Sequence, residues 1–141
     1  MELNRKIGTL TLRLLLGFIL LMQGFGKVFT LGVDNVYNMP FFHDTYAPYF
    51  PDIIIRITAY FTSYIELIAG ALLVIGLKRD YALYAMASVL VIITFGHGLS
   101  EPIWDLSHMF FRAVLLITLL LLPKEWDQYS IDYIIKKKII N

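Results

Sequence analysis

The sequence predicts an all-α protein, an integral membrane four-helix bundle that ends in a short interfacial helix. Its 141 residues are 58% hydrophobic and only 16% charged, and its mean hydropathy of +0.68 is typical of membrane proteins. Four long apolar stretches are candidate membrane helices, because about 20 helical residues cross the hydrocarbon core of a bilayer. A single domain over 1–141 is predicted to contain spans at about 8–29, 53–77, 81–99 and 107–123, followed by a tail at 124–141.

The composition also excludes several classes of function. The net charge of +1 comes from charges that are segregated along the chain, and no basic run is interleaved with aromatic residues, so we expect no nucleic-acid partner. The chain has no cysteine, which excludes thiol–disulfide chemistry and thiolate metal sites within it. We expect no haem and assign no metal site. The basic N-terminus precedes a long apolar run without a cleavage pattern, which predicts a retained first span.

The first span carries polar residues on one face. At the helical period, Arg13, Gly17, Gly24 and Lys27 fall on one stripe. A cation in hydrocarbon costs at least about 2.5–3.5 kcal/mol, so this stripe must face protein or water. Its glycines allow another helix to approach closely.

The second span follows an aromatic, proline-containing segment that cannot form one helix and suits the headgroup level. One of its faces carries Arg56, Ala59, Ser63, Glu66 and Gly70. This small-residue stripe is predicted to pack against the stripe of the first span. The rise per residue puts the first span's inner cation and the second span's carboxylate at similar depths.

These depths predict a buried ion pair between Arg13 and Glu66. A facing guanidinium keeps a buried carboxylate ionised, with bidentate geometry. Such a pair has two interpretations, which stay open at this point. It is either a structural clamp that fixes the helix register or a site of proton or redox coupling through Glu66.

Orientation follows from the loop cations, which alternate with the spans. One side carries Arg5, Lys6, Lys78, Arg79, Lys124 and the lysines at 136–138, whereas the opposite loops carry carboxylates. Both termini are therefore predicted to be cytoplasmic. In the tail, Ile131, Ile135 and Ile139 recur every four residues beside the lysines. This pattern predicts an interfacial helix on the anionic inner leaflet, with Trp126 and Tyr129 as anchors.

The outer ends of the spans are predicted to surround a pocket. Its candidate ligand-binding residues are Gln23, Lys27, Arg56, His97, His108 and Arg112, with Phe110, Phe111 or Trp104 in the lining. Cationic and imidazole donors suit the carbonyls of a quinone head group, or a small anion. Alternatively, the cations only extend to lipid headgroups and the histidines lie at a wet interface. A metal site from His97 with Glu101, and Asp105 with His108, is a third interpretation.

With these residues laid out, the chain resembles the DoxX family of small four-span bacterial membrane proteins. The resemblance rests on Arg13-x-x-x-Gly17, on residues 23–27 (Gln-Gly-Phe-Gly-Lys), on residues 66–70 (Glu-Leu-Ile-Ala-Gly) with Gly76, and on residues 129–132 (Tyr-Ser-Ile-Asp). It implies a helical bundle in the cytoplasmic membrane. The family name comes from a subunit of thiosulfate:quinone oxidoreductase, and other members associate with redox-defence proteins. No catalytic residue is carried over from the family.

The sequence and the resemblance together predict a multi-pass inner-membrane protein that is a quinone-linked redox subunit. Quinone would bind without a covalent bond, and the catalytic residues are not assigned. One alternative is a non-catalytic membrane scaffold or assembly subunit of a larger complex, and another is a small-anion transporter. The expected partners are membrane lipid, quinone, and other membrane or periplasmic proteins or a second copy of the chain.

Overall fold

The computed structural model of the protein describes residues 1–100 and 107–140, without the side chains of Ser107, His108 and Ile140. Over this part, the chain forms helices joined by turns, with no strand, which confirms the predicted all-α class. The elements are α1 (Glu2–Phe25), a π-helical stretch (Gly26–Leu31), α2 (Val33–Tyr37), α3 (His43–Tyr46), α4 (Asp52–Ile75), α5 (Arg79–Ser100), α6 (Ser107–Leu121), a 3-10 turn (Lys124–Trp126) and α7 (Ile131–Ile140).

Several helices have the length and composition of membrane spans. They are α1 with its π-helical extension, α4 and α5. The apolar helix α6 has 15 residues, fewer than the about 20 that a span needs. The first three predicted spans overlap these helices, although α1 begins at Glu2 rather than at residue 8. The molecule is thus a membrane protein built from a bundle of apolar helices.

Glycines bring the backbones of α1 and α4 into contact. A Cβ atom added at Gly24 would lie 2.2 Å from the backbone nitrogen of Leu67, and one at Gly70 would lie 2.3 Å from that of Leu21. Nearer the other end, Gly17 packs against Val74. These contacts confirm that the two small-residue stripes pack together. They also fix the register of these two antiparallel helices. For each residue further along α1, the residue that it contacts on α4 lies one position earlier in the chain.

The main hydrophobic core fills the space between this helix pair and the other two long helices. It comprises Leu16, Leu20, Ala69, Leu73, Ala82, Leu83, Met86, Val89, Leu90, Met109, Leu116 and Leu119. Leucine and methionine dominate because long side chains fill the gap between helices that lack glycines at their contact. Large apolar side chains such as Phe18 and Ile68 point outward and are about half exposed, as expected for a surface that faces lipid.

The segment between the first two long helices folds over one end of the bundle, which we call the pocket end. Gly32 terminates the π-helical stretch with a positive φ of 80°, and the short helices α2 and α3 follow. A second cluster forms here from Tyr37, Ile55 and Ala59, with Phe42, Tyr46 and Phe50 packed against it. These contacts secure the segment to the start of α4.

The opposite end, which we call the terminal end, is closed by the chain after α6. Gly76 ends α4 in the left-handed conformation, with a φ of 70°, and its carbonyl accepts the backbone N–H of Asp132. The Asp132 carboxylate in turn accepts the backbone N–H groups of Lys78 and Arg79, at 2.9 and 3.1 Å. It thereby caps the start of α5. The predicted tail helix exists as α7, anchored by its first turn.

Candidate functional site

A cavity of about 550 Å³ opens at the pocket end, a size typical of small-molecule sites. We call it the Glu66 pocket. The π-helical stretch, the segment 33–50 and the outer parts of α1, α4, α5 and α6 enclose it. Its polar and charged lining residues are Gln23, Lys27, Tyr46, Thr58, Thr62, Glu66, His97 and Arg112. The cavity therefore combines mostly apolar walls with a few convergent polar groups.

A buried ion pair lies in the wall of this pocket. The Nζ of Lys27 donates to the Oε2 of Glu66 at 2.6 Å, and the two side chains are 28% and 0% exposed. Lys27 belongs to the π-helical stretch that begins at Gly26. A π-helical turn is wider than an α-helical one and occurs often at functional sites. Here it carries the lysine that meets the carboxylate of α4.

Two buried oxygen atoms of the pocket have no hydrogen-bond partner among the described residues. They are the Oε1 of Glu66 and the Oε1 of Gln23. An unsatisfied buried acceptor costs about 1–3 kcal/mol, and more when it is charged. Proteins therefore seldom leave such atoms without a role. If the Gln23 amide is rotated by half a turn, its NH₂ group faces the same space. In the present arrangement, both residues can accept hydrogen bonds from a ligand.

Two further polar side chains from other helices reach the pocket. Arg112 of α6 is partly buried, and its guanidinium attracts the Glu66 carboxylate without hydrogen-bonding to it. His97 lies near the end of α5, next to Gly96, where a Cβ would meet the Tyr46 ring at 3.3 Å. With Lys27 and Arg112 against Glu66, the ionised groups of the pocket carry a net positive charge.

Aromatic side chains from the segment between α1 and α4 cover the pocket. Phe42 and Tyr46 pack edge to face with their centroids 5.8 Å apart, and Phe50 contacts Phe95 of α5 at 6.5 Å. Of the three aromatic residues predicted as alternative lining residues, Phe110 and Phe111 do not line the pocket, and Trp104 lies outside the described part. Phe110 and Phe111 are 65% and 69% exposed, because their positions on α6 face away from the bundle.

The structure gathers Gln23, Lys27, His97 and Arg112 as predicted, but it places Arg56 elsewhere. Arg56 is 53% exposed and donates to Asp34 at 3.1 Å, and Tyr60 donates to the same carboxylate at 2.7 Å. These two donors lower the pKa of Asp34. Arg56 was predicted to line the pocket from its face on α4, and that prediction is wrong. The reason is that Asp34 of α2 holds it outside.

Sequence reasoning also overlooked His43, which lies in the same exposed network. It contacts Asp44 at 3.0 Å and Asp52 at 3.1 Å, and the two carboxylates raise the pKa of His43. Tyr37 donates to Asp52 as well. This network ties α2 and α3 to the start of α4. The sequence signal for this network was a histidine followed directly by an aspartate, in a segment rich in aromatic residues.

The predicted ion pair between Arg13 and Glu66 is wrong, because each residue has another partner. Arg13 donates from Nε to Asp127 at 3.0 Å, and Glu66 pairs with Lys27. In the glycine register, Glu66 faces the turn around residue 25, beside Lys27. Arg13 faces the chain beyond the end of α4. The depths were estimated from the ends of the apolar stretches, and this estimate did not reveal the offset. The register is set instead by contact between the two helix backbones.

The remaining predicted residues lie outside the described part. They are the side chain of His108 and residues Glu101, Trp104 and Asp105. Among the residues that the structure does describe, no group of three His, Cys, Asp or Glu could hold a metal ion. The metal interpretation, which needs three of these outlying side chains, stays a prediction. Conversely, Thr58, Thr62, Phe41 and Tyr46 line the pocket and were not predicted. Phe41 and Tyr46 belong to a segment of short helices and turns without a period that indicates the inward side, whereas Thr58 and Thr62 lie on the long helix α4.

Comparison with known proteins agrees with this architecture. The family model described as DoxX matches residues 8–98, more than half of the chain. The matched region includes most of α1, all of α4 and nearly all of α5, and with them the Lys27–Glu66 pair. No curated protein and no solved structure matches the chain.

Proposed function

This chain belongs to the DoxX family, and we propose that it is a quinone-linked redox subunit that binds the quinone head group in the Glu66 pocket. The observation that carries this proposal is a pair of oxygens, on Glu66 and Gln23, that have no partner among the described residues and lie beside a lysine in a cavity with mostly apolar walls. Such a site offers acceptors and donors to one small ligand. The quinone head group, with its oxygen at either end, has the matching chemistry.

The fit of the pocket residues to a quinone can be stated for both redox forms. A quinone carries two electrons and two protons between its oxidised and reduced forms. Lys27 and Arg112 have N–H groups for the carbonyls of the oxidised form. Glu66 Oε1 can accept the hydroxyl of the reduced form, and as a carboxylate it can take a proton from that position. One pocket thus serves both forms with different side chains.

Burial strengthens these interactions. Glu66 is fully buried, and aromatic side chains of the segment 41–50 line the pocket. In such surroundings, hydrogen bonds to charged groups are stronger than in water. The same rings supply flat apolar surfaces for a head group to pack against. The polyprenyl tail of a membrane quinone would leave toward the lipid.

We further propose the bacterial inner membrane as the location, with both termini in the cytoplasm. Support comes from the lysines and arginines, which concentrate at the terminal end, whereas Asp34, Asp44 and Asp52 lie at the pocket end. The Glu66 pocket would then lie near the periplasmic surface. Electrons would pass between the quinone and a redox partner protein on that side.

The proposal is tested by measuring the quinone that the chain retains. The full chain is purified in mild detergent, and its lipids are extracted and analysed by mass spectrometry. Stoichiometric quinone is expected for the wild type. Glu66→Gln should lower the retained quinone about tenfold, because it loses a charged acceptor worth about 1.5–3 kcal/mol. Arg112→Gln should act in the same direction.

Arg56→Gln is the matched control, since it removes one charge from α4 at an exposed position outside the pocket. Its quinone content should equal that of the wild type. The unfolding temperature of each variant must be recorded, so that loss of quinone is not confused with loss of folding. Wild-type protein without quinone overturns the proposal. A stable protein partner would then favour the scaffold, and anion uptake by proteoliposomes would favour the transporter.

A further inference from the structure

A second cavity, of about 290 Å³, lies at the terminal end. We call it the Arg79 cavity. It lies between the start of α5, the turn after α6 and the helix α7. Its lining residues are Arg79, Lys124, Glu125, Asp127, Ser130, Asp132, Tyr133, Lys136 and Lys137. This volume is at the low end for ligand sites, which span about 300–1,000 Å³, so it suits a single headgroup better than a large cofactor.

The guanidinium of Arg79 is the unusual group in this cavity. Arg79 is 4% exposed, yet its Nη1 has no hydrogen-bond partner in the described structure. Its Nε donates to Asp80 at 3.4 Å, and its Nη2 donates to the carbonyl of Leu122 at 2.8 Å. The Oδ2 of Asp127 is 3.9 Å from Nη1, close enough for Coulombic attraction but too far for a hydrogen bond. A buried cationic donor therefore lacks an acceptor.

Three carboxylates line the cavity, and two of them, those of Asp127 and Asp132, are occupied by other groups, which leaves Glu125 against the lining cations. Asp127 accepts the Nε of Arg13 at 3.0 Å. Both oxygens of Asp132 accept backbone N–H groups at the start of α5. Lys136 and Lys137, by contrast, form no ion pair with any residue that the structure describes. Positive charge is left over on the open side of the cavity.

The position of the cavity determines which anions it meets. It lies where α4 and α6 end and α5 begins, and the ends of membrane helices lie at the headgroup level. The exposed side of α7 carries Ile134, Ile135 and Ile139, which are 51%, 45% and 79% exposed. This apolar face suits insertion into the headgroup boundary, with the lysines beside the lipid phosphates.

We propose that the Arg79 cavity binds a phosphate group, supplied by the headgroup of an anionic phospholipid. The phosphate oxygens accept from Arg79 and the lysines Lys136 and Lys137, since a guanidinium and ammonium groups together match phosphate geometry. Basic pockets on the cytoplasmic side of membrane proteins bind lipid headgroups by this chemistry. Bound lipid would secure α7 to the bundle. This site is independent of the Glu66 pocket.

The test compares two neighbouring lysines of α7. Full-length protein is delipidated in detergent, titrated with phosphatidylglycerol or phosphatidylcholine, and examined by native mass spectrometry. We expect tighter binding of phosphatidylglycerol. Lys137→Gln should weaken its binding about fivefold, in line with about 1 kcal/mol for one lysine near a membrane surface. Lys138→Gln, which removes the same charge from a residue outside the lining, should leave binding unchanged.

Inorganic phosphate distinguishes the two sources of the ligand. If it displaces the lipid and alone raises the unfolding temperature, the phosphate site stands and its natural ligand is a soluble phosphate. If it does neither while phosphatidylglycerol binds, the lipid is the ligand. Equal weakening by Lys137→Gln and Lys138→Gln would show diffuse attraction to the tail and overturn the site. So would equal binding of the two lipids.

Discussion

Two buried ion pairs lie towards opposite ends of the bundle, and they differ in how completely their polar atoms are hydrogen-bonded. At the terminal end, Arg13 contacts Asp127 and donates further to the carbonyls of Leu73, Val74 and Tyr129. At the pocket end, Lys27 meets one oxygen of Glu66, and the other oxygen has no hydrogen-bond partner among the described residues. The first pair joins three parts of the chain, and all three nitrogens of its guanidinium donate hydrogen bonds. The second pair borders a cavity.

This difference separates a structural charge from one with a functional role. A buried ion pair contributes to stability only when further hydrogen bonds satisfy its remaining donors and lone pairs. Every nitrogen of the Arg13 guanidinium donates a hydrogen bond, and burial raises the pKa of Asp127 while Arg13 opposes that rise. The Glu66 carboxylate, by contrast, has one oxygen without a partner among the described residues, beside a cavity. The sequence offered a clamp and a site of proton or redox coupling as two interpretations of one pair, whereas the structure contains two separate pairs.

The largest expected effect comes from breaking the terminal pair. Arg13→Gln should lower the free energy of unfolding by roughly 3–5 kcal/mol, because Asp127 and several carbonyls lose their buried partner. The measurement is chemical unfolding of the purified protein in detergent micelles. Protein that remains folded should still retain quinone, since Arg13 is outside the Glu66 pocket. A variant as stable as the wild type would contradict the clamp.

A smaller loss of stability is expected from a substitution at the contact between α1 and α4. Gly70→Ala places a methyl group 2.3 Å from the backbone of Leu21, so α1 and α4 must move apart, at a cost of about 1–3 kcal/mol. Both ends should suffer, with lower stability and less retained quinone. Gly8→Ala is the matched control. No atom lies within 4 Å of its added Cβ, so it should be neutral or slightly stabilising.

A still smaller loss of stability is expected at the pocket pair. Glu66→Gln should cost about 1 kcal/mol, because Lys27 can extend toward water and the lost carboxylate oxygen had no partner. Unfolding under the conditions used for Arg13→Gln gives the comparison. If Glu66→Gln destabilises as much as Arg13→Gln, both pairs are structural clamps, and the functional distinction fails.

The smallest effect concerns pH and the segment that covers the pocket. Asp44 and Asp52 raise the pKa of His43, so protonated His43 stabilises the folded state. This contribution is complete below the unfolded pKa of about 6.5 and is lost as pH rises through the raised folded value. The unfolding temperature should fall slightly over that interval. His43→Gln should remove this pH dependence, whereas an unchanged dependence would place its origin elsewhere.

Much of the fold and part of the site could be predicted, for separable reasons. Hydrophobic length and period determine helices and their faces, so the spans and the inward stripes with Gly17, Gly24 and Gly70 were predicted. The same faces brought Gln23, Lys27, His97 and Arg112 to one pocket. Faces alone do not give the register of two antiparallel helices. That register depends on where the glycines of each helix contact the backbone of the other helix, which is why Glu66 was paired with the wrong cation.

The residues that cover the pocket were missed for a different reason. The segment from 32 to 51 contains short helices and turns. Its sequence has no hydrophobic period that indicates which side faces inward. Phe42, Tyr46 and Phe50 were read only as headgroup-level aromatics. Arg56 was misplaced by the same segment, because its partner Asp34 belongs to α2. The functional end of the molecule is thus the part least visible in periodic patterns.

The glycine contacts between α1 and α4 also limit how the protein can open. With backbone against backbone at Gly24 and Gly70, these helices have no layer of side chains that could repack as they slide. The two helices form a rigid unit, and the Lys27–Glu66 pair is attached to it. Entry of a ligand must then depend on movement of the aromatic segment 41–50, or of α5 and α6. The α1–α4 contact therefore restricts any opening motion to the elements that pack around it through side chains.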